Sequence, residues 1–204
     1  MDGSPTHLIM IRHGQSTWNA DGRWQGHADP PLSALGEAQA DAAASALGAI
    51  DAVVASDLAR ARRTAEIVAE RLQIAPVTVD PRLRERDAGA WTGLTRAEIE
   101  EGWPGQLANW RPPANYEGDE QLLARVLDAV GDIHRRHAGG RVLVVAHGGV
   151  LRAIDRCHGV HDHSFPNLGG RELLVLGPEA TITIGERVSL LDGLDVTITT
   201  PQQI

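Results

Sequence analysis

The chain has 204 residues, 42% of them apolar and 23% charged, with a net charge of -8. That size suits one α/β domain over residues 1–204, and the acidic balance argues against broad binding to nucleic acid or anionic membrane. All 19 cationic side chains are Arg, which excludes a Schiff-base or P-loop lysine, and the single Cys157 excludes an internal disulfide or a cysteine zinc cluster.

Met1–Pro5 carries neither a basic nor an apolar leader pattern, and no apolar run reaches the ~18 residues of a membrane span. The expected compartment is the cytoplasm. His7–Ile11 is a short apolar run that reads as a buried strand. Ser33 can N-cap a helix running to about Leu47, with Gly48 at its end. Asp51–Ala55 reads as a second strand and Asp57–Leu72 as a second helix. Gly102–Gly118 holds three Pro, three Gly and two Trp, the composition of a long connection or lid. Glu120–His137 follows as a helix, in which His134 and His137 read as a solvated face. Arg141–Ala146 reads as a third strand and Gly149–Cys157 as a fourth helix. Thr181–Ile184 and Val196–Thr199 alternate apolar and polar residues and are expected to pair as a terminal hairpin. Strands alternating with helices imply an α/β fold, a three-layer α/β/α sandwich with a mostly parallel central sheet.

Two of the buried strands end alike. Leu8–Ile11 runs into Arg12-His13-Gly14, and Val142–Ala146 runs into His147-Gly148-Gly149. Open α/β sheets bind ligands beyond the carboxyl ends of their strands, so both imidazoles are candidates for one crevice. A lone strand-end His usually just makes a capping hydrogen bond. The paired occurrence, with Arg12 beside the first, favours a site. The glycines, Gly148 among them, let backbone N–H groups approach an anion. Past Asp51–Ala55, Arg60 lies nearest the strand end and is the best cation to enter the crevice. Arg62 and Arg63 fit a solvated helical face equally well. Glu85, set among Arg82, Arg84 and Arg86, is either an ion-pair partner or a carboxyl that carries a proton to a leaving group.

These segments resemble the histidine phosphatase superfamily, also called phosphoglycerate-mutase-like, from about Leu8 to Gly149. Arg12-His13-Gly14-Gln15-Ser16 resembles its opening signature, followed by Asn19. Leu32-Ser33-Ala34-Leu35-Gly36, Ser56–Ala61 with Thr64-Ala65, and Leu83-Arg84-Glu85 with Gly89 and Trp91–Leu94 resemble its next three motifs. Ala146-His147-Gly148-Gly149 resembles the last. The resemblance implies that His13 is the nucleophile, that Arg12, Arg60 and His147 clamp the phosphoryl group, and that Glu85 is the acid/base. It also implies that Asn19, Arg23, Gln25 and Gly26 border the substrate. One departure is Gly118-Asp119-Glu120, where many phosphatase-type members carry Gly-Glu-Ser.

The chemistry suits these residue types. A phosphate monoester carries nearly two negative charges, and Arg forks neutralise them while staying cationic. Neighbouring cations keep an attacking His neutral, and a covalent phosphohistidine divides the reaction into two easier steps. Glu85 must be protonated to assist the leaving alkoxide, so an acid-leaning optimum is expected. The expected activity is hydrolysis of a small phosphorylated metabolite, with no cofactor, metal, nucleic acid or membrane, and a homodimer is allowed for. Cofactor-dependent phosphoglycerate mutase is the first alternative. It is disfavoured by the short stretch between Glu85 and His147, since the mutases that resemble this chain carry a longer one. A phosphate-binding module without turnover is the second. His158, His161, Asp162 and His163 could be read as a metal site, but a polar loop is the plainer reading. Trp24, Trp103, Trp110, Arg111 and Tyr116 are candidates for shaping substrate choice or for local packing.

Overall fold

The computed structural model describes residues 4–161 and 164–193. One six-stranded sheet organises them. In chain order the elements are β1 (Thr6–Arg12), α1 (Thr17–Ala20), α2 (Ala34–Ala43), β2 (Ala52–Ala55), α3 (Ala59–Leu72), β3 (Thr78–Val79), α4 (Arg96–Gly102), α5 (Asp119–Arg136), β4 (Arg141–Ala146), α6 (Gly148–Cys157), β5 (Gly169–Leu176) and β6 (Thr181–Ser189). The strand order is β3-β2-β4-β1-β5-β6. The first four of these are mutually parallel, and β5 runs antiparallel to both β1 and β6.

The layers follow from the two-residue period of the strands. Leu8 and Met10 of β1 and Val142 and Val144 of β4 face α5 and α6, joined there by Leu122, Val126, Val130, Leu151 and Ile154. Ile9, Ile11, Leu143 and Val145 point the other way, onto Ala43 of α2 and Ala61, Ala65 and Val68 of α3. Both faces of the central strands are covered, which is why they read as unbroken apolar runs. The alanines of α3 also let that helix lie close to the sheet. A third cluster, Trp24, Ala88, Trp91, Ile99 and Leu107, with Trp103 and Tyr116 packed on it, underlies the connection after α4. Residues 102–118 are therefore anchored by apolar contacts.

The pairing that matters most for the site is in β1 and β4. Arg12 stands opposite Ala146, so the residues that follow, His13 and His147, leave the sheet side by side. The His13 N–H donates to Ala146 O at 3.1 Å and carries the pairing one residue further.

One expectation is met in part and one is corrected. Thr181–Ile184 belongs to β6, which pairs with β5, a strand the sequence reading left unassigned; Val196–Thr199 lies outside the described residues. A Cβ at Gly170 would collide with Met10 O, so glycine is what lets β5 lie against β1. His134 does not face solvent. It is buried, its Nδ1 lying 2.7 Å from Thr6 Oγ1 and its Nε2 3.0 Å from Gly177 O, and so ties α5 to the sheet. Among the described residues no helix is long and apolar enough to cross a membrane.

α6 is fixed from below by a buried ion pair. Arg171 of β5 grips Asp155 through Nε at 3.1 Å and Nη2 at 2.8 Å. Removing one partner strands the other charge in the core. Asp155→Ala is expected to lower the unfolding free energy by about 3–5 kcal/mol in urea titration. A loss below about 1 kcal/mol would contradict a structural role for the pair.

Candidate active site

Beyond the carboxyl ends of β1, β2 and β4, a cavity of ≈ 40 Å³ is lined by Arg12, His13, Gln25, Gly26, Arg60, Glu85 and Gly148, with Arg86, Tyr116 and Arg152 toward its outer side. Segments far apart in sequence meet here because the parallel strands open at one end.

His13 is 2% exposed. Its Nδ1–H donates to Gly14 O at 2.6 Å, because a carbonyl can only accept. That assigns the proton to Nδ1 and leaves the Nε2 lone pair for attack when the ring is neutral. Burial, then the charges of Arg60 and Arg12, hold the His13 pKa well below the ordinary 6.5, against the opposing hydrogen bond to Gly14 O. Backbone contacts fix the ring's position. Asn167 Nδ2 donates to His13 O at 2.9 Å, and Gly14 N–H donates to Thr64 Oγ1 at 3.0 Å.

His147 is fully buried, and neither ring nitrogen has a hydrogen-bond partner among the described residues. Its ring meets His13 edge to face, with centroids 5.2 Å apart. Burial first, then Arg60 and His13, also press its pKa well below 6.5. Two neutral imidazoles therefore sit between two guanidinium groups.

Arg12 donates to Phe165 O at 3.0 Å, and Arg60 to Ala28 O at 2.8 Å and Gly26 O at 3.0 Å. Arg60 Nε is buried and has no partner among the described residues. Burial, with Arg152 nearby, lowers the Arg12 pKa to about 9, and burial lowers Arg60 to about 10. Both remain cationic at neutral pH. Carbonyls hold these side chains without cancelling their charge, so the positive field stays available to an anion.

Glu85 lies across the cavity at the α6 N-terminus. Its carboxylate accepts from Gly149 N–H at 3.0 Å and from Arg86 N–H at 2.7 Å. Its main chain is clamped as well. Arg125 of α5 donates to the carbonyls of Arg82, Arg84 and Glu85 at 2.7, 2.7 and 2.9 Å while pairing with Glu117. His27 Nε2 lies 2.8 Å from Glu85 O.

The remaining expected residues divide. Gln25 and Gly26 line the cavity; Asn19 and Arg23 do not. Asn19 closes a capping box with Ser16 at the start of α1, and Arg23 binds Gly93 O and Glu98. Arg62 and Arg63 stay on the outer face of α3 in ion pairs with Glu66, Glu37 and Glu70. Trp24 and Tyr116 reach the cavity, whereas Trp103 packs beneath it. Gly118 N-caps α5, and Asp119 pairs with Arg86 and Arg156. His158 lies within hydrogen-bonding distance of the carbonyls of Ile154 and Ile182, 2.9 and 3.2 Å away; Asp162 and His163 fall outside the described residues. Among the described residues no group of three or more His, Cys, Asp or Glu could hold a metal. The sequence reading missed Arg86 and Arg152 as cavity residues, and Arg125. Only Arg152 carried a usable signal, lying one helical turn past Gly148 on the same face.

A cavity lined by His13, two buried arginines and a carboxylate, with His147 buried against His13 and outside the lining itself, belongs to the class of phosphoryl-transfer sites. The comparisons sharpen this. Residues 8–173 match the histidine phosphatase superfamily (branch 1). A metal-independent phosphoserine phosphatase of Arabidopsis thaliana is 38% identical over 76% of this chain and 69% of its own length. A glucosyl-3-phosphoglycerate phosphatase of Mycobacterium tuberculosis is 40% identical over 72% of each. A probable phosphoglycerate mutase of Klebsiella pneumoniae is 41% identical over 69% of each. The solved structure of a mycobacterial glucosyl-3-phosphoglycerate phosphatase with VO3 has a TM-score of 0.79 at 33% identity, covering 88% of this chain and 96% of that one. The chain belongs to the histidine phosphatase superfamily.

Gly149 bears on where the Glu85 carboxyl sits. A Cβ there would collide with Glu85 Oε1 and push the carboxyl out of place. Gly149→Ala is expected to lower kcat by about 10²-fold or more, the usual contribution of a positioned proton carrier, with the fold retained by circular dichroism. Activity within about threefold of the native enzyme would show that the position of Glu85 is not critical.

Proposed function

We propose that this member of the superfamily is a phosphomonoester hydrolase that forms a phosphohistidine on His13 and acts on a small phosphorylated metabolite. The observation that carries the reading is the Nδ1–H of His13 held by Gly14 O, which presents a neutral Nε2 to the cavity bounded by Arg12 and Arg60.

In the first step Nε2 attacks phosphorus, the P–O bond to the alcohol breaks, and Glu85 supplies the proton that the leaving alkoxide takes. Arg12, Arg60 and His147 hold the equatorial oxygens as charge spreads over them; the unpaired nitrogens of His147 suit that task. In the second step Glu85 removes a proton from water, which attacks phosphorus, and the bond to Nε2 breaks to release phosphate. Gln25, Gly26 and the N–H of Gly148 border the same cavity and supply further polar contacts. Asn19 and Arg23 act one layer out, through the α1 cap and the Glu98 pair.

Two relatives are named phosphatases and one a probable mutase. The hydrolase reading is further supported by the brevity of the connection between Glu85 and His147, which leaves residues 102–118 to cover the cavity. A mutase must exclude water while its substrate turns over on the phosphoenzyme. Phosphate release from a panel of phosphomonoesters, set against isomerisation of 3-phosphoglycerate with a bisphosphate primer, separates the two. His13→Ala is expected to reduce release by at least about 10³-fold. Full activity in that variant would overturn the reading.

The depressed His13 pKa gives a second test. Because only the neutral ring attacks, and it stays neutral above its pKa, the nucleophile remains competent as pH falls through 6.5. In ¹⁵N-histidine NMR of the unliganded protein, His13 is expected to stay neutral with its proton on Nδ1 at pH 6.5. A ring half protonated at that pH would contradict the electrostatic account.

A further inference from the structure

The inner cavity, ≈ 40 Å³, is the narrower of two that share lining residues. The alcohol that carries the phosphate would extend outward. A second pocket, ≈ 340 Å³, continues from it; Arg86, Tyr116 and Arg152 line both, and Trp110, Asp119 and Arg156 complete the outer one. Trp110 is half exposed, and its ring stands edge to face with Tyr116 at 5.7 Å. Two aromatic faces thus wall a pocket whose other lining is charged.

The three cations there are not equivalent. Asp119 pairs with Arg86 and also with Arg156, at 3.0 Å. Arg86 further donates to Glu117 O at 2.6 Å and stacks over Tyr116. Arg152 differs. It is partly buried, and among the described residues no carboxylate or carbonyl lies within hydrogen-bonding distance of its guanidinium. Glu85 is the acid whose charge bears on it most, but the Glu85 carboxylate is held by the backbone N–H groups of Arg86 and Gly149. A guanidinium carries five donors, and drawing it out of water without an acceptor is unfavourable unless a ligand supplies one. Gly148 keeps the way open, since a Cβ there would press on Arg152 Nη1 at 3.2 Å.

We propose that the outer pocket is the leaving-group subsite, and that Arg152 binds a carboxylate on the alcohol while Trp110 and Tyr116 cover its carbon skeleton. The substrate class is then a phosphate monoester of a hydroxy acid. A carboxylate suits the planar fork of Arg152. A second phosphate would bring nearly two charges beside Asp119 and Glu85, where Arg86 and Arg156 are already paired with Asp119. The proposal rests on the phosphomonoesterase reading, and its test separates the two.

The test uses binding, so it does not depend on turnover. In a His13→Ala background, calorimetry compares D-3-phosphoglycerate with glycerol 3-phosphate, which has a hydroxymethyl group in place of the carboxylate. The acid is expected to bind at least about tenfold more tightly. Adding Arg152→Gln should bring the two within about twofold, and Arg152→Lys should retain part of the preference, because it keeps charge without the fork. Thermal unfolding of each variant confirms that the fold is kept. Equal binding of the two compounds before Arg152 is altered, no binding of either, or a preference that survives Arg152→Gln overturns the proposal. If the preference depends on Arg152 while the native protein releases no phosphate from any monoester, the hydrolase reading falls and the carboxylate subsite stands.

Discussion

An imidazole attacks phosphorus only while it is neutral and only from the nitrogen that lacks a proton. In this protein one short contact, from His13 Nδ1–H to Gly14 O, sets which nitrogen is free, while burial and the charges of Arg60 and Arg12 keep the ring neutral. The contact survives because the backbone around it cannot move. His13 N–H extends the pairing of β1 with β4, Gly14 N–H is held by Thr64, and His13 O is held by Asn167. Three distant segments, from β4, α3 and the approach to β5, thus fix a single ring. The packing of α2 and α3 on one face of the sheet and α5 and α6 on the other serves the same end, since it sets the strands whose ends carry the site.

Charge is arranged with similar economy. Arg12 and Arg60 are buried and held by carbonyl oxygens, which stabilise a guanidinium without neutralising it. The carboxylates of the neighbourhood are kept apart from them. Asp57 is tied to Arg84, Glu117 to Arg125 and Asp119 to Arg86 and Arg156. Glu85 is the exception, held at the α6 N-terminus where two backbone N–H groups receive it. The same ion pairs brace the loop that carries Glu85, so structural and electrostatic roles are shared by one network.

Much of this was legible in the sequence because it depends on local pattern. Leu8–Ile11 and Val142–Ala146 announce buried strands, and their shared His-Gly endings announce a crevice. The α3 sequence predicts that Arg60 enters and leaves Arg62 and Arg63 undecided. The structure resolves them by helical position: Arg60 is on the face with Ala61 and Thr64, and the other two are on the outer one. What was not legible depends on contacts between distant segments. Arg125 clamps a loop some forty residues away, and β5 opens with two glycines, of which Gly170 is required by the closeness of β1. His134 sits at helical spacing from His137 and gave no sign that Thr6 would meet it. Asn19 and Arg23, carried by resemblance, stand outside the cavity lining, in the α1 cap and the pair with Glu98.

The central claim is that phosphorus is transferred to His13 Nε2. It is tested most directly by mixing the native enzyme with a phosphomonoester labelled in the phosphoryl group, quenching in alkaline detergent within the first turnover, and mapping the label by peptide digestion. The account predicts label on the peptide containing His13, stable in base and released in acid. Turnover with no protein-bound label, or with label on a peptide that lacks His13, would contradict it.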